Sequence, residues 1–448
     1  MRIEISNIKK FNNMLFSRYK IKNKARITGL TIDSRLIQNG DLFIPLKGEK
    51  ANGHDFINDA IKSGASLILS ENQADIQSKK ITYVKSTYNT LKEISMHWRK
   101  CFSGNIIGIT GSNGKTTTKE ILGSILSNNM KCNYSKGNYN STTGVPLSII
   151  AMDTDADNYI FELGMSKPGE IKKLCNISKP NIGLITNISG AHIEFFKSLD
   201  NIAKEKSSLF LSLSDKDIAF VNIDDPYIKK IPTNANKITY SLKQNANYSG
   251  KLIIDDNGQN NLKINNTISI KLPYGSKAFA YNALAAFSIS DFLGVNKNVI
   301  IENIEKFKNL IGRNNIYNHN GYTIIDDTYN SNLESAKSGI LDLDKYSLKH
   351  RCIAVLSDML ELGDKGIPYH KELGNIISKT NIHSVFGIGQ LTEKTISTLN
   401  KSSINTFYFD KKEDLSNNLS KFIKKGDVIY FKASRGMKLE KIINEVFG

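Results

Sequence analysis

The sequence predicts an α/β protein of three domains, and three observations carry this prediction. The chain has 448 residues, which is longer than one ordinary domain. Short apolar strands alternate with helical segments along most of the chain, a pattern typical of mainly parallel sheets with helices on both faces. A glycine-rich loop, residues 108–114, separates one such strand from the helix that follows it.

The first block, residues 1–103, predicts a small N-terminal α/β domain. Its strands are expected within 25–33, 41–46, 66–70 and 81–84, and its helices within 56–65 and 90–102.

The second block, residues 104–313, predicts a central domain in which a strand at 106–110 leads through the glycine-rich loop into a helix from about Thr116. Its other strands are expected within 158–163, 181–188 and 217–223, and a further helix within 281–295. The third block, residues 314–448, predicts a second doubly wound sheet, with strands within 322–329, 352–359, 384–389, 405–410 and 427–433.

The composition is that of an ordinary globular protein, with 40% hydrophobic and 23% charged residues. The formal net charge is +17, but the basic residues are scattered and no basic block with interleaved aromatic residues occurs. This distribution favours solvated lysines and an attraction for small anions over nucleic-acid binding.

Membrane insertion and secretion are not expected. No apolar run reaches the roughly 18 residues that a membrane helix needs, and charges and amides interrupt the first 20 residues, unlike a signal peptide. The cysteines stand far apart without the spacing of a metal site, so we expect reduced thiols in a cytoplasmic protein at Cys101, Cys132, Cys175 and Cys352.

The segment GITGSNGKTT, Gly108 to Thr117, is the first candidate site. Its glycines allow backbone amides to turn toward an anion, and the start of the next helix adds positive potential. Ile109 occupies the first glycine position of an ordinary phosphate-binding loop, so the segment is a variant of that loop. An exposed lysine on a glycine-rich turn is the alternative. The strand–loop–helix context favours a triphosphate site formed by Gly111, Ser112, Asn113, Gly114, Lys115, Thr116 and Thr117.

Within this loop, Lys115 is expected to reach the outer phosphates, and Thr116 or Thr117 to bind Mg²⁺. Two residues farther along indicate a second Mg²⁺ site. Glu162 belongs to an apolar strand, where an ionised carboxylate is costly unless it is paired or bound to a metal. His192 follows the end of the next strand, where ligands of such sheets collect, although an ordinary polar turn residue is the alternative.

The helix predicted at 200–213 contains an unusual lysine. Its apolar arc would be formed by Ile202, Ala203, Leu209, Phe210 and Leu213. Lys204 and Glu205 are expected to point away from this arc, whereas Lys206 lies within it. Either Lys206 extends its ammonium to the rim, or its charge is removed or inverted.

The loop GSNGKTTT resembles the GTNGKTT loop of the Mur ligases and folylpolyglutamate synthases, which are ATP-dependent amide-forming enzymes. The resemblance implies that Lys206 matches a lysine that CO₂ converts to a carbamate. It also implies that this carbamate helps Glu162 and His192 to hold the second metal, although histidine is an unusual ligand for Mg²⁺.

Other positions on the ATP side follow from the same resemblance. Asn282 matches the last residue of the family's HNxxN segment, but Ala278 and Phe279 stand where histidine and asparagine are common. Arg313 matches an arginine that closes the site onto the ATP phosphates, and Asp327 matches a residue that contacts the ribose.

The outer blocks resemble those Mur ligases that add D-alanyl-D-alanine. In the C-terminal block the resemblance is carried by DDTYNSN, SDMLELG and KASRGM, and it implies an acceptor side formed by Tyr329, Asn330, Asn332, Ser434 and Arg435. In the N-terminal block it is carried by TIDSRLIQNGDLFIPLKGEKANGHDF, and it implies a UDP end at Ser34, Arg35, Gly48, Gly53 and His54. The segment KGNYNSTTGVPLSI adds Asn140 and Thr142, which are expected near the muramoyl-peptide.

The resemblance covers all three blocks. It implies a uridine-binding domain at 1–103, a central ATP-binding ligase domain at 104–313 and a Rossmann-like domain at 314–448. It also implies ATP-dependent addition of D-alanyl-D-alanine to UDP-N-acetylmuramoyl-tripeptide in peptidoglycan synthesis, with ATP, two Mg²⁺ ions and a carbamylated Lys206. We expect a monomer that binds no nucleic acid. Two alternatives stay open, a sister ligase that adds a single amino acid and a P-loop ATPase that acts on nucleic acid.

Overall fold

The computed structural model describes residues 2–19, 21, 25–48, 51–75, 78–255, 259–400 and 402–448, and it contains three sheets. The strands of the three sheets fall within residues 2–83, 105–271 and 315–432. The predicted α/β class with mainly parallel sheets is confirmed, whereas the domain boundaries stay predictions.

The N-terminal sheet has five strands. Its elements are β1 (Arg2–Glu4), α1 (Ile8–Tyr19), β2 (Gly29–Thr31), β3 (Asp41–Phe43), α2 (Ile57–Lys62), β4 (Leu67–Ser70), β5 (Ile81–Tyr83) and α3 (Thr87–Arg99). The strands pair in chain order, with β1 antiparallel to β2 and the other neighbours parallel. The sequence analysis missed β1 and α1, because polar residues surround the apolar positions of α1, of which Phe11 and Leu15 are fully buried.

The central sheet has nine strands. Its elements are β6 (Asn105–Thr110), α4 (Lys115–Ser127), β7 (Cys132–Tyr134), α5 (Gly144–Ala151), β8 (Asn158–Glu162), α6 (Glu170–Ser178), β9 (Ile182–Ile185), α7 (Ile193–Phe196), α8 (Leu199–Leu211), β10 (Ile218–Asn222), β11 (Asn236–Ser241), β12 (Tyr248–Ile254), β13 (Asn260–Ile264), β14 (Ile268–Lys271), α9 (Lys277–Phe292) and α10 (Lys297–Glu305).

The strand order of the central sheet is β14-β13-β12-β11-β10-β9-β6-β8-β7. The strands from β7 to β12 pair in parallel, and β12, β13 and β14 add an antiparallel edge that the sequence analysis did not predict. Side chains along β6 alternate between the two faces, so Ile106 packs in one apolar cluster while Ile107 and Ile109 pack in another. Helices therefore cover both faces, as predicted.

The C-terminal sheet has six strands. Its elements are β15 (Asn315–His319), β16 (Tyr322–Asp327), α11 (Leu333–Tyr346), β17 (Cys352–Ser357), α12 (Gly366–Ile377), β18 (Ser384–Ile388), α13 (Thr392–Leu399), β19 (Asn405–Phe409), α14 (Lys412–Phe422), β20 (Val428–Lys432) and α15 (Glu440–Phe447). The order is β15-β16-β20-β17-β18-β19, and all pairs are parallel except the hairpin β15–β16.

The N-terminal and central sheets share an apolar core through α3. Trp98 is fully buried, packs edge-on against Phe11 at a centroid distance of 5.4 Å, and donates from Nε1 to the Met152 carbonyl at 3.2 Å. One turn later, the Phe102 ring stacks on the Tyr159 ring at 3.9 Å. These contacts join α3 and the residues just after it to the end of α5 and to β8, so the two sheets share one apolar core.

We expect Trp98→Ala to lower the free energy of unfolding by about 3–5 kcal/mol, because the substitution removes a buried indole and its hydrogen bond. Chemical denaturation followed by circular dichroism measures this loss. Met96→Ala is the matched control on α3, because Met96 is exposed, and it should change stability by less than about 0.5 kcal/mol. Equal losses in the two variants would contradict the shared core.

Candidate active site

A cavity of about 920 Å³ lies between the central and C-terminal sheets. The loops that follow β6, β8, β9 and β10 line it from the central side, and the loop after β16 with the start of α11 lines it from the other side. This is where parallel α/β sheets hold ligands, because the carboxyl ends of their strands meet at one edge. No described residue of the N-terminal sheet or its helices lines this cavity.

The glycine loop enters the cavity in a conformation that excludes side chains at two positions. Gly111 has φ +149° and Gly114 has φ +80°, values that favour glycine. A Cβ added to Gly111 would lie 1.8 Å from Thr186 Oγ1, and one added to Gly114 would lie 2.3 Å from Asn282 Oδ1. The neighbouring segment also holds the loop, since Thr186 Oγ1 donates to the Asn113 carbonyl at 2.6 Å.

Lys115 begins α4 and folds back over this loop. Its Nζ donates to the carbonyls of Gly111 at 2.7 Å and Ser112 at 3.3 Å. Burial lowers the pKa of Lys115, the charge of Glu162 opposes this shift, and Arg313 adds to it. The loop therefore carries a partly desolvated cation beside its backbone amides, as a site for a polyanion requires.

Glu162 ends β8 and is buried, as predicted. One carboxylate oxygen accepts from Thr116 Oγ1 at 2.7 Å, and the other accepts from Asn140 Nδ2 at 2.7 Å. Asn140, which was expected near the muramoyl-peptide, therefore lines the cavity beside Glu162. Thr142 does not belong to the lining residues of the cavity.

Lys206 is almost fully buried on α8, so it does not extend its ammonium to the rim. Its Nζ lies 3.6 Å from Met165 Sδ, and in the described part of the chain no carboxylate oxygen is within ion-pairing distance. Burial lowers the pKa of Lys206 well below its ordinary value, and the charge of Lys115 lowers it further. Burial without a carboxylate partner therefore shifts Lys206 toward the neutral amine, which is the nucleophilic form.

The expectation that Glu205 points away from the apolar arc was wrong. Glu205 is buried, and its carboxylate accepts from the backbone amides of Gly169 at 2.7 Å and Ile171 at 2.8 Å. These amides belong to the start of α6, whose positive end favours a carboxylate. A helical projection of α8 alone does not contain this neighbouring helix.

His192 and Glu361 connect the central domain to the C-terminal domain. His192 Nδ1 contacts a carboxylate oxygen of Glu361, and this proximity of His192 lowers the pKa of Glu361. Both residues have positive φ, +59° and +58°, and Glu194 N donates to the Glu361 carbonyl at 3.1 Å. Among the described residues no cluster of three or more His, Cys, Asp or Glu side chains could hold a metal, so the metal role of His192 stays a prediction.

Further contacts join the glycine loop and the interdomain linker to the C-terminal sheet. Asn332 Nδ2 donates to Asn113 Oδ1 at 2.8 Å, and Asn332 also caps the start of α11. The Arg313 guanidinium lies over the Tyr329 ring, 3.8 Å from its centroid. Arg313, Tyr329 and Asn282 all line the large cavity.

Asp327 ends β16 and lines the same cavity. It pairs with Lys432 Nζ at 2.5 Å and accepts from Tyr430 Oη at 3.1 Å and from the backbone amide of Asn314 at 3.1 Å. Burial raises the pKa of Asp327, although Lys432 opposes this shift. Its predicted contact with a ribose is not tested by these bonds.

The predicted acceptor residues come together around a second, smaller cavity of about 130 Å³. Asn330, Asn332, Ser434 and Arg435 line it, together with His192, Glu361 and the Leu360–Leu362 segment. Ser434 Oγ accepts from the Leu360 backbone amide at 2.8 Å. Tyr329 lines the adjoining large cavity and lies 5.7 Å from the Arg435 guanidinium.

The predicted UDP residues lie in the N-terminal domain. Ser34 and Arg35 form a short 3₁₀ turn, and Arg35 is exposed and pairs with Asp33 at 2.7 Å. Gly53 N donates to the Leu46 carbonyl at 2.9 Å, and Gly48 N donates to the Ala51 carbonyl at 2.9 Å. The ring of His54 contacts Asn52 Oδ1 at 3.1 Å. The binding role of this set stays a prediction.

Three family models match the chain in order: the Mur ligase family catalytic domain at residues 26–97, the Mur ligase middle domain at 109–290, and the Mur ligase glutamate ligase domain at 312–435. A UDP-N-acetylmuramoyl-tripeptide–D-alanyl-D-alanine ligase of Rickettsia prowazekii is 33% identical, over 95% of this chain and 96% of that relative. The chain belongs to the Mur ligase family. The family predicted from the sequence is therefore confirmed.

Other relatives cover nearly all of this Mur ligase. The Bacillus subtilis protein of the same name is 30% identical over 94% of this chain and 93% of that relative. The crystal structure of the MurF ligase of Thermotoga maritima in complex with ADP superimposes with a TM-score of 0.83 at 30% identity, over 93% of this chain and 96% of that structure. Among the described helices of this Mur ligase, none combines the length and apolarity needed to cross a membrane.

The sequence analysis gave no role to three residues that organise the site of this Mur ligase. Glu361 belongs to the quoted SDMLELG segment, but nothing in the sequence links it to His192. Lys119 is fully buried one turn after Lys115, and the apolar-arc argument applied to Lys206 would have found it. His370 is buried, and its Nε2 accepts from the Met359 backbone amide at 3.1 Å.

His370 supports the loop that carries Glu361, and its pKa gives a testable pH dependence. Its Nδ1 donates to the Gly366 carbonyl at 2.8 Å, which fixes a neutral ring. Burial lowers the pKa of His370 below its ordinary value of 6.5. The unfolded chain therefore binds a proton at this residue at a higher pH than the folded protein does, so stability falls as the pH decreases through about 6.5.

We expect His370→Gln to lose less unfolding free energy than the parent protein when the pH is lowered from about 7.5 to about 5, because the buried titrating group is gone. Glutamine keeps one acceptor and one donor for the same backbone partners. Urea unfolding at each pH measures the difference. An equal loss in both proteins would contradict a buried neutral His370.

Proposed function

We propose that this Mur ligase joins D-alanyl-D-alanine to the terminal carboxylate of UDP-N-acetylmuramoyl-tripeptide while ATP is converted to ADP and phosphate. The observation that carries this proposal is that the glycine loop lines the same interdomain cavity as the predicted acceptor residues Tyr329, Asn330 and Asn332. The other two predicted acceptor residues, Ser434 and Arg435, line the adjoining smaller cavity. Full-length relatives carry the name of this ligase, and a related structure holds ADP, which supports ATP as the nucleotide. The product would be the UDP-linked pentapeptide precursor of peptidoglycan.

The first step is phosphoryl transfer. The glycine-loop amides and Lys115 orient the γ-phosphate, and a carboxylate oxygen of the tripeptide attacks its phosphorus. The bond from that phosphorus to the ADP oxygen breaks, and an acyl phosphate forms. Lys115 and Arg313 offset the negative charge that develops on the transferred group, which is the main contribution expected of the protein in phosphoryl transfer.

The second step is amide formation. The neutral amine of D-alanyl-D-alanine attacks the acyl carbon, phosphate leaves from the tetrahedral intermediate, and the amine loses a proton. Water would hydrolyse the acyl phosphate, so the site must be closed during both steps. The contacts His192–Glu361 and Asn113–Asn332 bridge the two domains around the cavity and support such closure.

The residues around Glu162 fit Mg²⁺. The Thr116 hydroxyl and the buried Glu162 carboxylate are hard oxygen donors on one wall of the cavity. Thr116 would bind the first ion, and Glu162, His192 and a carbamate on Lys206 the second. Bound Mg²⁺ would neutralise charge on the phosphate oxygens.

The surroundings of Lys206 support carbamylation. A neutral amine attacks CO₂ through its nitrogen lone pair, a C–N bond forms, and one proton is lost, which leaves an anionic carbamate. The buried Lys206 amine has a lowered pKa and a thioether neighbour in place of a carboxylate. A carbamate would place a negative charge near the cation Lys115, and these opposite charges would attract each other in a buried site.

We further propose that the enzyme is cytoplasmic and monomeric. The four cysteines are free thiols, which supports a reducing compartment.

An ADP-release assay that omits each substrate in turn tests the proposed function. We expect ADP release only when ATP, UDP-N-acetylmuramoyl-tripeptide and D-alanyl-D-alanine are all present, with either diaminopimelate or lysine as the third residue of the peptide. Lys115→Met should lower the rate at least about 100-fold, because one preorganised cation is lost. The exposed Lys216→Met is the control and should keep the parent rate. Equal turnover with single amino acids would favour the sister ligase.

Lys206→Ala tests the carbamate. We expect loss of ADP release that is partly restored by added formate or acetate, because a small carboxylate can occupy the space of the missing carbamate. Lys204→Ala is the matched control, since Lys204 is exposed on the same helix and should need no rescue. A folded Lys206→Ala protein without any rescue would contradict the carbamate.

A further inference from the structure

We propose that Lys119 is a positioning residue for the ligase reaction. It holds the segment at residues 135–140 and the Glu162 carboxylate in a fixed position relative to the glycine loop. The inference rests on the proposed function, because it concerns the same cavity. Lys119 contacts neither the glycine loop nor the cavity, and it acts through Glu162 and Asn140.

Lys119 is the most deeply buried cation of the site. Its side chain has no exposed surface, and its Nζ donates to the Ser135 carbonyl at 2.6 Å and to the Gly137 carbonyl at 2.9 Å. The third neighbour is the carboxylate of Glu120 at 2.9 Å. A buried ammonium is costly unless all its donors are used, and here the bonds fix one segment of backbone.

That segment leads directly to Glu162. Ser135 N donates to the Ile160 carbonyl at 3.0 Å, and Ser135 Oγ accepts from Glu162 N at 3.3 Å, so residue 135 continues the pairing of β7 with β8. Five residues later, Asn140 Nδ2 donates to Glu162 Oε1, and the Asn140 carbonyl accepts from Gly164 N at 2.8 Å. Lys119 therefore fixes the start of the 135–140 segment, and Asn140 at the end of this segment bonds to Glu162.

Lys119 also reaches Glu162 from the opposite direction. Its Nζ lies 4.0 Å from Glu162 Oε2, the oxygen that accepts from Thr116 Oγ1. Lys115 and Lys119 are four residues apart on α4 and lie on the same side of the helix. A rotation of α4 would move the phosphate lysine and the anchor of the 135–140 segment together. The phosphate side and the peptide side of the cavity are thus linked through one buried ammonium.

Asn138, Asn140 and Ser141 line the large cavity, whereas Lys119 does not. Loss of Lys119 would leave two backbone carbonyls without their donor and free the loop to shift, while the glycine loop and Lys115 keep their own contacts. The expected defect is therefore in the chemical step, and ATP binding should be preserved.

The test compares Lys119→Met and Lys119→Gln with Asn140→Ala and the double variant Lys119→Met/Asn140→Ala in the ADP-release assay. We expect each Lys119 variant to lower kcat roughly 100-fold, while the KM for ATP changes less than about threefold. Because Lys119 and Asn140 act on the same carboxylate, the double variant should be no slower than the slower single variant.

Arg99→Met is the matched control. Arg99 also donates to two backbone carbonyls, those of Ser178 and Lys179, and none of these residues lines either cavity. It should lower the melting temperature without changing kcat. Glutamine at 119 keeps a donor, so this variant stays informative if Lys119→Met does not fold.

The proposal would be overturned if the losses of kcat in the two single variants multiplied in the double variant. It would also be overturned if the KM for ATP rose in proportion to the fall in kcat. Failure of both Lys119 variants to fold would also overturn it, because the residue would then support the whole domain. A parent enzyme that releases no ADP with all three substrates would refute the proposed function, and the proposal on Lys119 would fall with it.

Discussion

The buried carboxylate of Glu162 is the constraint on which the rest of the site depends. It ends a strand inside the central sheet, where an unpaired charge would cost several kcal/mol. Thr116 and Asn140 bond to its two oxygens and Lys119 lies nearby, so the helix after the glycine loop and the 135–140 segment are both fixed by the same group. The glycine loop can be rigid because α4 is held at its first turn by this interaction.

The alternation of apolar strands and helices was sufficient to predict the three sheets. What it missed has a physical reason in each case. The strands β13 and β14 bury Leu262, Ile264 and Ile270 on one face only, between asparagines and lysines that the sequence shows as a polar stretch. The strand β1 has three residues and gains its partner β2 across 25 residues of chain, so no local pattern marks it.

The same difference between local patterns and long-range contacts applies to the candidate site. Lys115 and Thr116 stand in one strand–loop–helix unit, and Glu162 stands in an apolar strand, so the local sequence was enough to single out each of them as a candidate. Contacts between residues that are distant in the sequence could not be predicted. The pairs His192–Glu361 and Asn113–Asn332 join residues more than 160 positions apart, and the bond of Glu205 to the start of α6 depends on how two helices pack.

The apolar core that α3 shares between the first two sheets has a consequence for the length of the substrate. Trp98 and Phe102 pack on both sides of the junction, so the N-terminal and central sheets are joined through one apolar core. A substrate held by its nucleotide end in the first domain would then be measured against the distance to the glycine loop. A peptide one residue too short would leave its carboxylate out of reach of the γ-phosphate, so chain length would be selected by rigidity, without any contact to the missing residue.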